Sequence, residues 1–193
     1  MSKPLVLAST SIYRRQLLER LAIPYTCMAP DIDESPLPQE LPDQLSARLA
    51  DAKARTAGTK FPAHLIIGSD QVASLDGELI GKPGNFERAS RQLRAASGST
   101  VTFFTSVALY DSETGHSQQH TDTTRVLFRE LEETQIRNYL LREEPYGCAG
   151  SFKVEGLGIA LFERIESDDP SALIGLPLIA LCTMLRAAGV AVL

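Results

Sequence analysis

Apolar and polar positions alternate along this chain in a way that divides it into short strands and amphipathic helices. Leu5 to Ala8 is a compact apolar run that reads as a first core strand. Ser11 then stands where an N-cap precedes a helix carrying Leu17, Leu18 and Leu21 on one face. A second strand is predicted near Tyr25 to Ala29, followed by a loop holding Pro30, Pro36, Pro38 and Pro42 among acids. From Asp43 to about Lys60 the apolar Leu45, Leu49 and Ala52 recur at helical spacing, and Lys53 borders that stripe.

His64 to Val72 reads as an apolar strand ending in Gly-Ser-Asp-Gln, which puts Asp70 near a strand end. Asp76-Gly77 turns the chain into the short run Glu78 to Ile80. Asn85 caps a predicted helix that buries Phe86, Ala89, Leu93 and Ala96 and stops at Ser97-Gly98. Thr100 to Tyr110 and His120 to Phe128 read as an antiparallel hairpin. A helix with Leu131, Ile136 and Leu140 follows, then a Gly-rich loop from Glu143 to Gly158 and a strand from Ile159 to Ile165. Pro177 opens a last helix that buries Leu178, Leu181, Leu185 and Ala188. Helices alternating with strands and then a hairpin predict an α/β protein with a mixed, partly antiparallel twisted sheet and flanking helices. No repeat or long linker interrupts residues 1–193, so one domain is expected.

With 193 residues, 44% hydrophobic and 22% charged, the chain can bury a sizeable core. A net charge of −5 and a pI near 5.3 argue against a nucleic-acid polymer as partner, since such binding rests on clustered Lys and Arg. A small anion remains open, because it needs only a local basic cluster. Cys27, Cys148 and Cys182 lack the spacing of a disulfide framework or a thiolate zinc site. The first apolar run is too short for a signal segment, and no stretch approaches the ~20 apolar residues of a membrane helix. The expectation is a cytoplasmic protein without a membrane partner.

Three constellations carry candidate chemistry. Ser9, Thr10, Ser11, Tyr13, Arg14 and Arg15 stand where a strand hands over to a helix. Hydroxyls, free N–H groups, a helix dipole and arginines together suit a phosphate, though a plain N-cap with solvated arginines has the same pattern. Asp70, with Asp31, Asp33 and Glu34 in the proline-rich loop, supplies carboxylates suited to a magnesium ion, or merely turns and solvated acids. Lys53, Lys82 in Gly81-Lys82-Pro83, and Lys153 in Gly150-Ser151-Phe152-Lys153 add cations. Each lysine alone reads as surface. Together with Arg14 and the acids they form the pairing that phosphoryl chemistry requires.

At these residues the sequence resembles the Maf family. Leu7-Ala8-Ser9-Thr10-Ser11 with Arg14-Arg15, Asp33-Glu34, Ala52-Lys53-Ala54, Gly68-Ser69-Asp70-Gln71, Gly81-Lys82-Pro83, Ala149-Gly150-Ser151-Phe152 and Gly175-Leu176-Pro177 stand in the family's order and approximate spacing. The resemblance covers nearly the whole chain. It implies an inosine triphosphatase-like fold with two lobes around a cleft, and a metal-dependent pyrophosphatase cleaving between the α and β phosphates of a nucleotide. Carried over by position, Asp70 is the proton acceptor that activates water, and Glu34 helps it hold a divalent cation, Mg2+ or Mn2+. Arg14, Lys53 and Lys82 grip the triphosphate, and Ser9 and Ser11 line the phosphate loop. A homodimer is expected by analogy alone.

Three positions depart from the commonest family pattern. Members that resemble dTTP and UTP enzymes have Ser-Pro-Arg-Arg, Ala-Asp-Thr and a Gln before the late Gly; here the residues are Ser11-Ile12-Tyr13-Arg14, Ser69-Asp70-Gln71 and Glu155-Gly156. This looks like the branch that hydrolyses 7-methyl-GTP to 7-methyl-GMP and diphosphate. Chemistry agrees, because 7-methylguanine is a cationic aromatic base. Tyr13 offers it a π face worth ~0.5–2 kcal/mol, Glu155 accepts from both guanine donors, and Gln71 is available for another base edge. Two alternatives stand beside this reading: a pyrophosphatase for other modified or ordinary nucleotides, and a non-catalytic nucleotide-binding regulator of septum formation.

Overall fold

The computed structural model describes residues 3–193. β1 (Leu5–Ala8) is buried at every position and passes through Ser9-Thr10 into α1 (Ile12–Glu19). Ser11 caps that helix, its hydroxyl accepting from the Arg14 backbone N–H at 3.4 Å. There follow β2 (Tyr25–Met28), α2 (Pro42–Gly58), β3 (Leu65–Leu75), β4 (Glu78–Ile80), α3 (Phe86–Ala96), β5 (Thr100–Asp111), β6 (Ser117–Phe128), α4 (Glu133–Glu143), β7 (Phe162–Glu166) and α5 (Leu178–Ala187). The strands form one open seven-stranded sheet in the order β2-β1-β3-β5-β6-β7, with β4 also on β3. β1 runs parallel to β2 and β3, and the remaining pairs are antiparallel, so the sheet is mixed as the sequence predicts.

The register along β3 creates the cleft. β5 accompanies β3 over its whole length, Leu65 to Leu75. On the opposite side β1 pairs only with Leu65–Gly68 and β4 only with Ala73–Leu75. Ser69, Asp70, Gln71 and Val72 therefore have a strand on one side and an opening on the other, and an interrupted edge of this kind is where open α/β sheets bind ligands.

Side chains alternate across a strand, and β3 uses both faces. Ile66 and Val72 pack on α2 through Ala50, Ala54, Leu45 and Leu49. Gly68 lies between them on that face, where a Cβ would stand 2.0 Å from the Ala50 carbonyl oxygen, so glycine is what lets α2 lie against the sheet. On the other face Leu65 and Ile67 join Leu17, Leu18, Leu181 and Leu185 in the core of one lobe. Ala73 joins Leu93, Phe103, Phe128 and Phe162 in the core of the second. The two lobes share β3 and β5, and the cleft opens between them.

Several boundaries differ from the sequence reading. Asp70 lies in mid-strand, because β3 continues past the polar Ser-Asp-Gln to pair with β4. On α2 the buried face runs through Ser46, Leu49, Ala50, Lys53 and Ala57, so Lys53 belongs to the stripe and Ala52 lies at its margin. Leu21 and Leu131 sit outside their predicted helices, each packing on the core from the flanking turn. β6 begins at Ser117 and β7 at Phe162, residues 157–161 being a 3-10 turn closed onto the Lys153 carbonyl by Gly158 N–H. α5 buries Leu181, Met184 and Leu185 while Ala188 is exposed beyond its end. Its first N–H groups, at Leu178 and Ile179, are satisfied by the Ser171 hydroxyl (2.9 Å) and the Asp169 carboxylate (2.7 Å), since Pro177 offers no side-chain acceptor.

Candidate active site

The interrupted edge of β3 forms the floor of a cleft of about 700 Å³, a volume that suits a nucleotide. Every residue the sequence nominates as catalytic or substrate-binding lines it: Ser9, Ser11, Tyr13, Arg14, Glu34, Lys53, Asp70, Gln71, Lys82 and Glu155. Asp70 projects from β3 toward α2, and the Gly68 contact brings α2 close enough for Lys53 to donate to Asp70 Oδ1 at 2.6 Å. The same ammonium lies 2.6 Å from Glu34 Oε1 at the cleft rim. Two carboxylates thus converge on one cationic nitrogen.

Burial and charge act oppositely on the two acids. Burial pushes the Asp70 carboxyl above the usual carboxylate range, against the lowering pull of Lys53 and Arg14. Burial also raises Glu34, but its hydrogen bond with Lys53 and the charges of Lys53, Lys82 and Arg14 outweigh that and hold it low. The result is one firmly ionised carboxylate beside one poised higher. That division suits an acid pair in which one member binds and the other exchanges a proton.

Arg14 is held from behind. Its Nε donates to the Gly175 carbonyl at 2.8 Å, and Ser69 Oγ donates to the same oxygen at 2.9 Å. The rest of the guanidinium faces the cleft near Asp70 and Glu34, whose charges counter the lowering effect of desolvation on its pKa. Ser9 Oγ accepts from the Ser11 N–H at 3.1 Å, shaping the turn ahead of α1. Arg15, by contrast, is exposed and outside the cleft lining.

At the other end of the cleft, Tyr13 lies against the half-buried Cys148, with Glu155 and Glu143 nearby. Burial and these neighbours push its phenol up to about 12, so the ring is neutral at ordinary pH. Phe103 and Phe152 contribute apolar walls and meet edge-to-face, 5.3 Å between centroids. Gln71 is tied inward: its amide nitrogen donates to Thr105 Oγ1 and to the Ala172 and Leu173 carbonyls at 3.0–3.1 Å, leaving Oε1 for any ligand. Asp31 and Asp33 do not join the cleft, and Asp33 instead accepts from the Ser35 N–H in a local turn. Lys153 lines the cleft, but its ammonium donates to the Glu143 carbonyl.

Sequence reasoning assigned no role to the 169–176 loop. Its Gly175, Ala172 and Leu173 carbonyls hold Arg14, Ser69 and Gln71, yet a backbone carbonyl leaves no trace in residue identity. The Gly175-Leu176-Pro177 block was its only signal. The places of Cys148, Phe103 and Phe152 in the cleft wall are likewise not legible in residue identity, because only the fold brings these segments together.

Among the described residues no cluster of three or more His, Cys, Asp or Glu side chains forms a protein-only metal cage. Asp70 and Glu34 nonetheless have the donor chemistry for a hard divalent cation: both are oxygen donors held beside the same Lys53 ammonium, and each has a second carboxylate oxygen not facing it. Magnesium typically takes one or two carboxylates and completes its shell with water and substrate phosphates. No helix among the described residues is long and apolar enough to cross a membrane.

Comparison with known proteins places this site in a family. The Maf-like protein family matches residues 4–188. The 7-methyl-GTP pyrophosphatase of Nitrosococcus oceani is 56% identical over 189 residues, covering 98% of this chain and 95% of that one. The 7-methyl-GTP pyrophosphatase of a Polaromonas species is 56% identical over 190 residues, covering 98% and 87%. The structure of the Staphylococcus aureus Ham1 protein superposes with a TM-score of 0.49 at 13% identity, over 66% of this chain and 73% of that one. With the family matched from Pro4 to Ala188 and two relatives more than half identical along nearly the full length, the chain belongs to the Maf family.

Proposed function

We propose that the protein hydrolyses 7-methyl-GTP to 7-methyl-GMP and diphosphate, with Asp70 as the general base. The observation that carries the chemistry is the Asp70–Lys53–Glu34 cluster at the interrupted edge of β3, inside a nucleotide-sized cleft. The relatives' shared activity and the presence of both Tyr13 and Glu155 in the cleft lining support the substrate.

A divalent cation on Asp70 and Glu34 would screen the triphosphate and polarise the α-phosphoryl oxygen. The protein's own groups do the remainder. Lys53 fixes the Asp70 carboxylate through Oδ1, and that carboxylate takes the proton of a water attacking the α-phosphorus. The bond from that phosphorus to the bridging oxygen breaks and diphosphate leaves. Arg14, braced by Gly175, presents its outer nitrogens to the phosphates, while Lys82 brings a further positive charge to the rim. Tyr13 stacks against the methylated ring, and Glu155 accepts from the guanine N1–H and N2–H.

A cytoplasmic location and a homodimeric state complete the proposal. The three cysteines are unpaired, which suits a reducing compartment. The deciding experiment measures diphosphate release with magnesium or manganese across 7-methyl-GTP, GTP, dTTP, UTP and CTP, then repeats it with chelator. A strong kcat/KM preference for 7-methyl-GTP that chelator abolishes is expected. Preference for pyrimidines would overturn the base assignment, and release unaffected by chelator would remove the cation.

A further inference from the structure

The cation that sequence reasoning grouped with the phosphate ligands, Lys153, points away from that role. It belongs to a strap that ties the Glu155 turn to the end of α4. We infer that Glu143 and Lys153 are positioning residues for base selection, a reading that rests on the proposed base pocket.

Glu155 stands at the tip of a tight turn. The Lys153 carbonyl accepts from Gly156 N–H at 3.2 Å and from Gly158 N–H at 3.1 Å, closing a loop in which Val154 packs on the core and Glu155 is exposed. Gly158 has no room for a side chain there, since a Cβ would lie 2.3 Å from the Lys153 oxygen. This loop has three attachments to α4. Lys153 N–H donates to the Tyr139 hydroxyl at 3.0 Å, and Lys153 Nζ donates to the Glu143 carbonyl at 2.5 Å. Leu157 N–H donates to Glu143 Oε1 at 3.0 Å. Gly156 completes the seat: a Cβ would come 2.8 Å from the Glu143 carboxylate, so glycine lets that carboxylate lie against the turn.

The Lys153–Glu143 contact is chemically sensible where it stands. Carbonyls in the last turn of a helix have no intrahelical partner and lie at the negative end of the dipole, so a lysine is well placed to satisfy one. Its ammonium thereby reaches back to α4, where the Glu143 carboxylate also lies 4.0 Å away. Before Lys153, Phe152 packs edge-to-face against Phe103, Phe128 and Phe162, which anchors the strap's other end in the core. Glu155 itself is exposed. Its place in the cleft lining shared with Tyr13 comes from the turn, and the turn's placement comes from Glu143 and Lys153.

The test compares kcat and KM for 7-methyl-GTP, GTP and dTTP in the wild type, Glu143→Ala, Lys153→Met and Glu143→Gln. The first two should lower the 7-methyl-GTP:GTP ratio of kcat/KM about tenfold, chiefly through KM, with dTTP hydrolysis unchanged. Glu143→Gln keeps an acceptor for Leu157 N–H and should retain the wild-type ratio. A thermal melt identifies any variant that fails to fold, and since Glu143 and Lys153 are separate attachments, the other variant still decides. Equal loss on all three nucleotides would return Lys153 to the phosphate-binding set and overturn the inference. So would an unchanged ratio in both variants, or a Glu143→Gln variant as defective as the alanine, which would make charge the operative property. A wild type without preference for 7-methyl-GTP would instead strike the base pocket itself, a failure visible before any variant is made.

Discussion

Lys53 Nζ stands 2.6 Å from Asp70 Oδ1, linking the middle of α2 to the middle of β3 with both side chains about nine-tenths buried. This contact exists because Gly68, two residues before Asp70, has no side chain to hold the helix away. A buried ion pair is weak evidence for stability but strong evidence for sensitivity, since removing one partner strands the other's charge. Each expected consequence can be measured.

Asp70→Asn preserves shape and removes the proposed base. Turnover should fall by roughly 10²–10⁴ while KM changes little and the circular dichroism spectrum is retained. Unchanged kcat would dismiss Asp70 as the proton acceptor.

The pH dependence follows from the raised Asp70 pKa. A carboxyl whose folded pKa exceeds its unfolded value contributes stability that is fully present below the unfolded pKa and lost as pH rises through the folded one. Over the interval just above the ordinary aspartate range, the metal-free protein should therefore lose stability that Asp70→Asn does not lose. Melting temperatures in chelator across that interval read this effect directly.

Gly68→Ala should damage both stability and catalysis. A Cβ 2.0 Å from the Ala50 carbonyl oxygen forces α2 outward, and overpacking of this kind costs typically ~1–3 kcal/mol. The displacement also separates Lys53 from Asp70. Denaturant unfolding paired with kcat measures the two losses, and a variant with wild-type values for both would refute the role of the close approach.

Ser69→Ala removes one of two donors to the Gly175 carbonyl and leaves Arg14 less firmly braced. KM should rise for every nucleotide alike, with the ratio between bases unchanged. Steady-state kinetics on 7-methyl-GTP and dTTP distinguish this phosphate-side effect from a base-side one.

Glu155→Gln should weaken discrimination for the methylated base by about 10- to 100-fold in kcat/KM while hydrolysis of dTTP is retained. Equal loss on both nucleotides would move Glu155 into the reacting centre.

The succession of strands and helices, the mixed sheet and most of the cleft's polar residues are legible in the chain before it folds. Local periodicity carries the first two, and motif order carries the third. The residue pattern alone places Asp70 near a strand end because Ser69-Asp70-Gln71 looks like the polar finish of an apolar run. Only the tertiary structure could show the strand continuing, since β4 pairs beyond the polar step and β1 stops short of it. The identity of the lysines was legible; their direction was not. Lys53 borders a helical stripe and Lys153 follows a Gly-rich loop, yet neither setting says that one ammonium meets a cleft carboxylate and the other a helix-end carbonyl. What separates them is the approach of segments distant in the chain, set by backbone carbonyls and by glycines such as Gly68 and Gly156 that make room for them. Residue identity records what a side chain can do, and packing decides which partner it meets.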